Sequence, residues 1–263
     1  MANYINKKVR PVVKWFGGKG PLARRFVELL PDLPIYVEAF AGGLNVLLNR
    51  CQAEKEIVGD LNVDLIHLYQ TIQTDSATLI ERLAGIPYSE EVFLRARDAR
   101  DVQDPVDRAL NFLIKCRMSR VGMGDDFSKV GEDTDFWDLL PPDLVFTAHR
   151  LKDVEFYNKP ALELIDLFDS PNTVFYLDPP YYPATRASPQ VYRHEMSRIQ
   201  HLYLLKRIVK CQGAVVLSGY ENPIYNQELV GWDKYHFEVA NRSSQELVQS
   251  RRVEVIWLKP AES

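Results

Sequence analysis

Asp178-Pro179-Pro180-Tyr181 follows directly on the apolar run Val174-Phe175-Tyr176-Leu177. A β-favouring apolar run that stops at an acid and two prolines reads as a buried strand ending at a working edge. Each proline lacks an N–H and biases the residue before it away from the helical region. The segment beyond the strand is therefore held extended, with its carbonyls turned outward. A carboxylate and a carbonyl then offer two acceptors to the N–H groups of a planar amine, and the tyrosine ring offers a stacking face. The bland alternative is that Tyr181 and Tyr182 simply cap the edge of a sheet.

Two more groups stand where strands should end. Residues 35–40 read as a first strand, running into the turn Phe40-Ala41-Gly42-Gly43, whose small residues let a ligand approach the backbone. Residues 56–60 read as a second strand closed by Asp60. It follows the glycine turn by roughly twenty residues, the spacing of an acid that takes ribose hydroxyls in nucleotide-binding units. A helix N-cap is the competing role for Asp60, because Asn62 and Asp64 also lie where a helix begins. The segment Phe16-Gly17-Gly18-Lys19-Gly20 is not a phosphate-binding P-loop: it lacks the four-residue spacer, and no Ser or Thr follows Lys19.

The elements that must position these groups alternate. A helix is expected from about Asn45 and another over 64–84, with apolar residues near helical spacing. Between 86 and 144 the strand signal disappears: 89–100 and 105–118 read as helices, followed by a glycine- and charge-rich loop over 119–135. Strand character returns at 154–157, then a helix at 161–168, the strand into Asp178, a polar loop at 182–195 and an amphipathic helix over 196–210. Further strands are expected at 214–218, 235–239 and 253–258. This alternation implies an α/β fold, a mostly parallel sheet covered by helices on both faces. The expected division is a sheet domain of 1–85 and 145–263 with a mostly helical insert at 86–144.

Composition excludes several classes. At 263 residues, with 46% hydrophobic and 26% charged residues, the chain is long enough for one large domain or one carrying an insertion. No run approaches the ~18 apolar residues of a membrane span, and residues 1–10 lack the apolar core of a signal peptide. Cys51, Cys116 and Cys211 are few, odd in number and far apart, which suggests a reducing cytoplasm. No Cys or His spacing resembles a zinc site, so no metal is expected. A net charge of −4 argues against coating nucleic acid by bulk electrostatics. Yet residues 1–27 hold Lys7, Lys8, Arg10, Lys14, Lys19, Arg24 and Arg25 without an acid. Local basic patches of this kind permit nucleic acid bound at a defined face.

Lys14-Trp15-Phe16-Gly17-Gly18-Lys19 resembles the first block of Dam-type (α-group) DNA adenine-N6 methyltransferases. Val37-Glu38-Ala39-Phe40-Ala41-Gly42-Gly43 is similar to their glycine motif, Gly59-Asp60-Leu61-Asn62-Val63-Asp64-Leu65-Ile66 to their acidic motif, and Asp178 to Tyr181 to their catalytic motif. Arg252-Val253-Glu254-Val255-Ile256-Trp257-Leu258 is similar to their last strand, so the resemblance spans nearly the whole chain in the family's order. It implies a Rossmann-like class I methyltransferase sheet and S-adenosylmethionine as methyl donor. It implies that Trp15 and Lys19 line the methionine end of the donor, that Phe40, Gly42 and Gly43 shape its pocket, and that Asp60 holds its ribose. The same resemblance implies that Asp178, within Asp178-Pro179-Pro180-Tyr181, stands between donor and target base. One departure is Leu44, where the family's F-x-G-x-G pattern has its last glycine.

The partner implied is double-stranded DNA, read by the insert. Arg117, Arg120 and Lys129 lie in or beside the 119–135 loop; Tyr182 and Arg186 belong to the loop that would cover an extruded base. The alternative for these charges is a surface loop. The expected protein is cytoplasmic, in a prokaryote or a phage-infected cell, monomeric or dimeric on DNA. It would be solitary, phage-borne or paired with a restriction nuclease. Two competing readings are an amino-group methyltransferase acting on RNA or another substrate, and a non-catalytic DNA-binding protein of the same fold.

Overall fold

The structure is a computed structural model and describes residues 10–129, 137–182, 195–240 and 251–262. Seven strands stand among them: β1 (Ile35–Glu38), β2 (Lys55–Gly59), β3 (Val154–Tyr157), β4 (Thr173–Leu177), β5 (Ala214–Gly219), β6 (Asp233–Ala240) and β7 (Arg251–Lys259). The eight helices are α1 (Ala23–Val27), α2 (Val63–Leu83), α3 (Glu90–Asp98), α4 (Pro105–Met118), α5 (Leu140–Leu151), α6 (Ala161–Phe168), α7 (Arg198–Ile208) and α8 (Pro223–Glu228). The chain divides into two compact units. The first takes in the N-terminal residues to Arg24, Ala41–Cys51 and Asn62–Asn158; the second takes in Arg25–Phe40, Gln52–Leu61 and the chain from Lys159 onward. Among the described residues, no helix is long and apolar enough to cross a membrane.

The second unit is built on strands with almost no polar alternation. Every residue of β4 and β5 is buried, the continuous apolar run of a strand covered on both faces. β2, β1, β4 and β5 lie side by side in parallel, with Glu38 opposite Val58 and Tyr176, and Leu177 opposite Leu217. This register brings the carboxyl ends of four strands to one edge. The chain leaves that edge through Phe40, Asp60, Asp178 and Tyr220. Because β2 lies on one side of β1 and β4 on the other, the strand order reverses between β1 and β4, the place where open α/β sheets bind ligands. β7 then runs antiparallel between β5 and β6.

The first unit is mostly helical, and its helix starts are read from side chains that satisfy the free N–H groups of the first turn. Asn62 caps α2, Ser89 caps α3 and Asp104 caps α4, where Pro105 takes the position that needs no N–H. The Gln73 side-chain amide donates to the carbonyls of Leu151 (2.6 Å) and Val154 (2.9 Å), tying α2 to the end of α5 and the start of β3. Arg82 pairs with both Asp104 and Asp107, fastening α2 to the start of α4. The boundary expected at 144 falls inside α5.

One local expectation is corrected, and two short helices, α1 and α8, were not expected. The helix expected from Asn45 is only a single 3-10 turn, Leu47–Asn49. Leu44, Val46, Leu47 and Leu48 are all buried, which leaves this segment no solvent face, and Arg50 is already extended. α1 and α8 carry no periodic apolar stripe, and their five and six residues are too short to show one.

Candidate active site

Asp178 is half-buried just beyond β4, and the neighbouring strand supplies its surroundings. Tyr181 is buried, with its hydroxyl 3.4 Å from Ser218 Oγ. Its ring meets Tyr220 edge-on at 4.5 Å between centroids. Ser218 and Tyr220 were not singled out in the sequence, although the strand-end rule that marked Asp178 applies equally to β5.

Behind the motif, His201 on α7 and Tyr225 on α8 are both buried, with His201 Nδ1 2.9 Å from the Tyr225 hydroxyl. His201 also lies 5.5 Å from the Tyr182 ring, and Tyr225 lies 5.3 Å from Trp257. His201 is therefore a packing residue; the capping of α7 falls to Ser197 and Gln200. Burial, reinforced by the charge of Asp178, pushes the Tyr225 phenol above its ordinary range, so it stays neutral. The charge of Asp178 is thus felt by a hydroxyl that stays neutral.

Phe40 and Asp60 leave the same sheet edge, each half-buried. The capping role that competed for Asp60 is taken by Asn62, whose side chain accepts from the N–H groups of Asp64 and Leu65. Glu38, the last residue of β1, is buried and accepts a hydrogen bond from the Tyr36 hydroxyl at 2.7 Å. It is a third carboxylate near this edge, after Asp60 and Asp178, and one to which the sequence reading gave no role.

The first unit gathers the glycine block. The Trp15 indole lies against Gly42, where a Cβ would stand 2.9 Å from Trp15 Cδ1 and where φ is +46°. Only glycine fits that close approach with left-handed backbone. The Tyr69 hydroxyl donates to the Gly42 carbonyl at 2.7 Å and holds the turn from the α2 side. Asn45, which sequence reasoning missed, is buried, and its amide lies 3.0–3.2 Å from where a Cβ would stand at Gly18, Gly20 and Gly43. Gly43 is thus placed beside Asn45 and, more distantly, Trp15. Lys19 is also buried, and its ammonium donates to the Gly17 carbonyl at 2.8 Å.

Leu44 explains the departure from the expected glycine. Its φ is +53°, so the backbone keeps the left-handed conformation while the side chain is fully buried. That conformation costs an L-residue about 1–2 kcal/mol, whereas deleting a buried leucine side chain costs about 2–5 kcal/mol. Packing outweighs strain, so Leu44→Gly is expected to lower stability by a net ~1–3 kcal/mol. A urea-melt midpoint that rises in the variant would count against this account.

At the loop after α4, expected from the sequence to meet DNA, Arg117 is half-buried in the last helical turn and Arg120 is exposed. The loop is closed by the N–H of Arg120 to the Asp126 carbonyl, the N–H of Ser128 to the Met118 carbonyl, and the N–H of Gly124 to Ser119 Oγ. Phe127 packs on Tyr88 and Phe93 from below. Lys129 is exposed and 3.7 Å from Glu90, a solvated pair that contributes little. Arg186 lies outside the described residues. Burial raises the thiols of Cys116 and Cys211 to about 12, which leaves them unreactive. Among the described residues, no group of three or more His, Cys, Asp or Glu side chains could hold a metal.

Residues 15–249 match the family model of D12 class N6 adenine-specific DNA methyltransferases. The DNA adenine methylase of Salmonella typhi is 28% identical over 253 residues, covering 90% of each chain. The DNA adenine methylase of Escherichia coli K12 is 31% identical over 188 residues, covering 67% of this chain and 66% of its own. The type II methyltransferase M.MjaIII of Methanocaldococcus jannaschii is 26% identical over 209 residues, covering 69% and 72%. With the family model covering most of its length, the chain belongs to the D12 class of N6 adenine-specific DNA methyltransferases.

Proposed function

We propose that this enzyme methylates the N6 amino group of an adenine extruded from double-stranded DNA, with S-adenosylmethionine as donor. The observation that supports this reading best is the strand register that puts Phe40, Asp60 and Asp178 at one sheet edge, beside the point where the strand order reverses. The donor supplies an electrophilic methyl group on a sulfonium. Its ribose hydroxyls suit the carboxylate of Asp60, which is not engaged in capping α2, and its pocket is assigned to Phe40, Gly42 and Gly43. Trp15 and Lys19 are assigned to its methionine end.

An adenine amine inside a duplex is paired and stacked, so it must leave the helix to be reached. Tyr181 is the stacking face for the extruded ring, and Tyr182 stands beside it. Asp178 and the Pro179 carbonyl accept hydrogen bonds from the two amino hydrogens, and Pro180 keeps the segment extended. The amine is a poor nucleophile because its lone pair is delocalised into the ring. Two fixed acceptors favour a more pyramidal nitrogen and stabilise positive charge as it develops there. Alignment of the reacting atoms contributes the rest. No dedicated general base is needed, since a methylated ammonium loses its proton readily.

The test is transfer of labelled methyl groups to unmethylated duplex DNA, followed by digestion to nucleosides. N6-methyladenine as product supports the reading; label in cytosine, in RNA alone or nowhere overturns it. Recognition is assigned to Arg117, Arg120 and the exposed Val121 and Met123, with Lys129 and Arg186 as phosphate contacts. Arginine suits bidentate guanine contacts, each worth about 1–3 kcal/mol. Arg117→Ala or Arg120→Ala is therefore expected to lower kcat/KM for DNA about 5–150-fold, with donor affinity unchanged. Loss of donor affinity with intact DNA binding would place this loop in a different role.

A further inference from the structure

The turn after α4 does more than carry candidate DNA contacts. Gly122 sits at its centre, buried, with φ at +81°. A Cβ there would fall 2.1 Å from the Lys14 carbonyl oxygen, 2.6 Å from its carbon and 3.0 Å from the Trp15 nitrogen. All three neighbours are backbone, so no rotamer change makes room. Val121, just before it, is also left-handed, with φ at +52°. Val121 and Met123 expose 44% and 42% of their surface. The middle of the turn is thus pressed onto the Lys14–Trp15 backbone while its shoulders face outward. On its other side, Trp15 lies against Gly42. Three tightly packed layers therefore run from the exposed shoulders to the glycine block.

We propose that Gly122 is a positioning residue: through its contact with Lys14 and Trp15 it couples engagement of DNA by the 120–124 turn to the affinity for the methyl donor. The proposal rests on the reading of this turn as DNA-facing. A shoulder displaced by DNA moves the Gly122 backbone, and nothing compressible lies between it and Trp15. Coupling of this kind is reciprocal, so DNA tightens the donor by the factor by which the donor tightens DNA.

The experiment uses the full chain, the unreactive donor analogue sinefungin, and sheared unmethylated duplex DNA. Dissociation constants for sinefungin are measured by calorimetry without DNA and with saturating DNA. In the unmodified enzyme DNA is expected to tighten sinefungin about fivefold or more; no change overturns the proposal. Gly122→Ala is expected to weaken sinefungin and to bring the coupling below about twofold; a folded variant with full coupling overturns it. Should Gly122→Ala fail to fold, Val121→Gly, which loosens the turn as well as removing one exposed side chain, carries the test through the ratio of sinefungin affinities with and without saturating DNA. Coupling below half the unmodified value supports the proposal, and unchanged coupling overturns it. Met123→Ala separates the underlying reading from the coupling. It is expected to weaken DNA severalfold and leave sinefungin affinity without DNA untouched. If Met123→Ala leaves DNA affinity intact, the DNA-facing reading fails and the proposal with it. If it weakens DNA while Gly122→Ala keeps full coupling, the coupling alone fails.

Discussion

Replacing Asp178 with alanine is expected to lower the single-turnover rate of methyl transfer about 1000-fold, while sinefungin and duplex DNA still bind. Removing a preorganised group aimed at developing charge typically costs a factor of about 100–1000, and Asp178 is the one ionised acceptor assigned to the amine. Its surroundings raise the stakes. The carboxylate is half-buried, and its charge acts on the buried, neutral Tyr225 phenol. Water is thus poorly placed to substitute for it. Asp178→Asn keeps one acceptor oxygen and loses the charge, so it should fall between the two. A rate within tenfold of the unmodified enzyme for Asp178→Ala would show that the amine is activated elsewhere.

Tyr181 should respond to loss of its ring and hardly at all to loss of its hydroxyl. Stacking of a base on an aromatic side chain is worth about 1–3 kcal/mol, so Tyr181→Ala is expected to reduce kcat/KM for DNA about 5–150-fold. The hydroxyl lies 3.4 Å from Ser218 Oγ, at the outer limit of a hydrogen bond, so Tyr181→Phe should stay within about threefold. Because Tyr181 is buried, the alanine variant also leaves a cavity, and its thermal melt must be measured alongside. Base extrusion itself is followed with 2-aminopurine at the target position, whose fluorescence rises on unstacking. Equal losses in the Phe and Ala variants would shift the role from ring to hydroxyl and overturn the stacking assignment.

Much of the fold was legible because burial on both faces leaves a mark in sequence. β4 and β5 read as strands from uninterrupted apolar runs, and α4 began at the expected proline because Asp104 and Pro105 spell out a helix start. Leu44 shows where pattern reading ends. As a letter it breaks a glycine motif; as a conformation it adopts the left-handed backbone that glycine takes most readily, and burial outweighs the strain. The helix expected after it shrank to one turn for the same reason, its apolar residues being enclosed on all sides.

The sequence by itself determined the kind of chemistry. An acid, two prolines and a tyrosine at a strand end specify an amine-holding edge through local rules of backbone geometry, and local rules survive without knowing the neighbours. The family-specific blocks likewise lie in contiguous stretches. Only the tertiary structure decided what surrounds those blocks. Strand register alone brings Ser218 and Tyr220 beside Tyr181, and helix packing places His201 against Tyr225. The Gly122 contact with Lys14 and Trp15 joins residues more than a hundred positions apart. No local signal encodes such a pairing, because it depends on how separate elements close on one another in space.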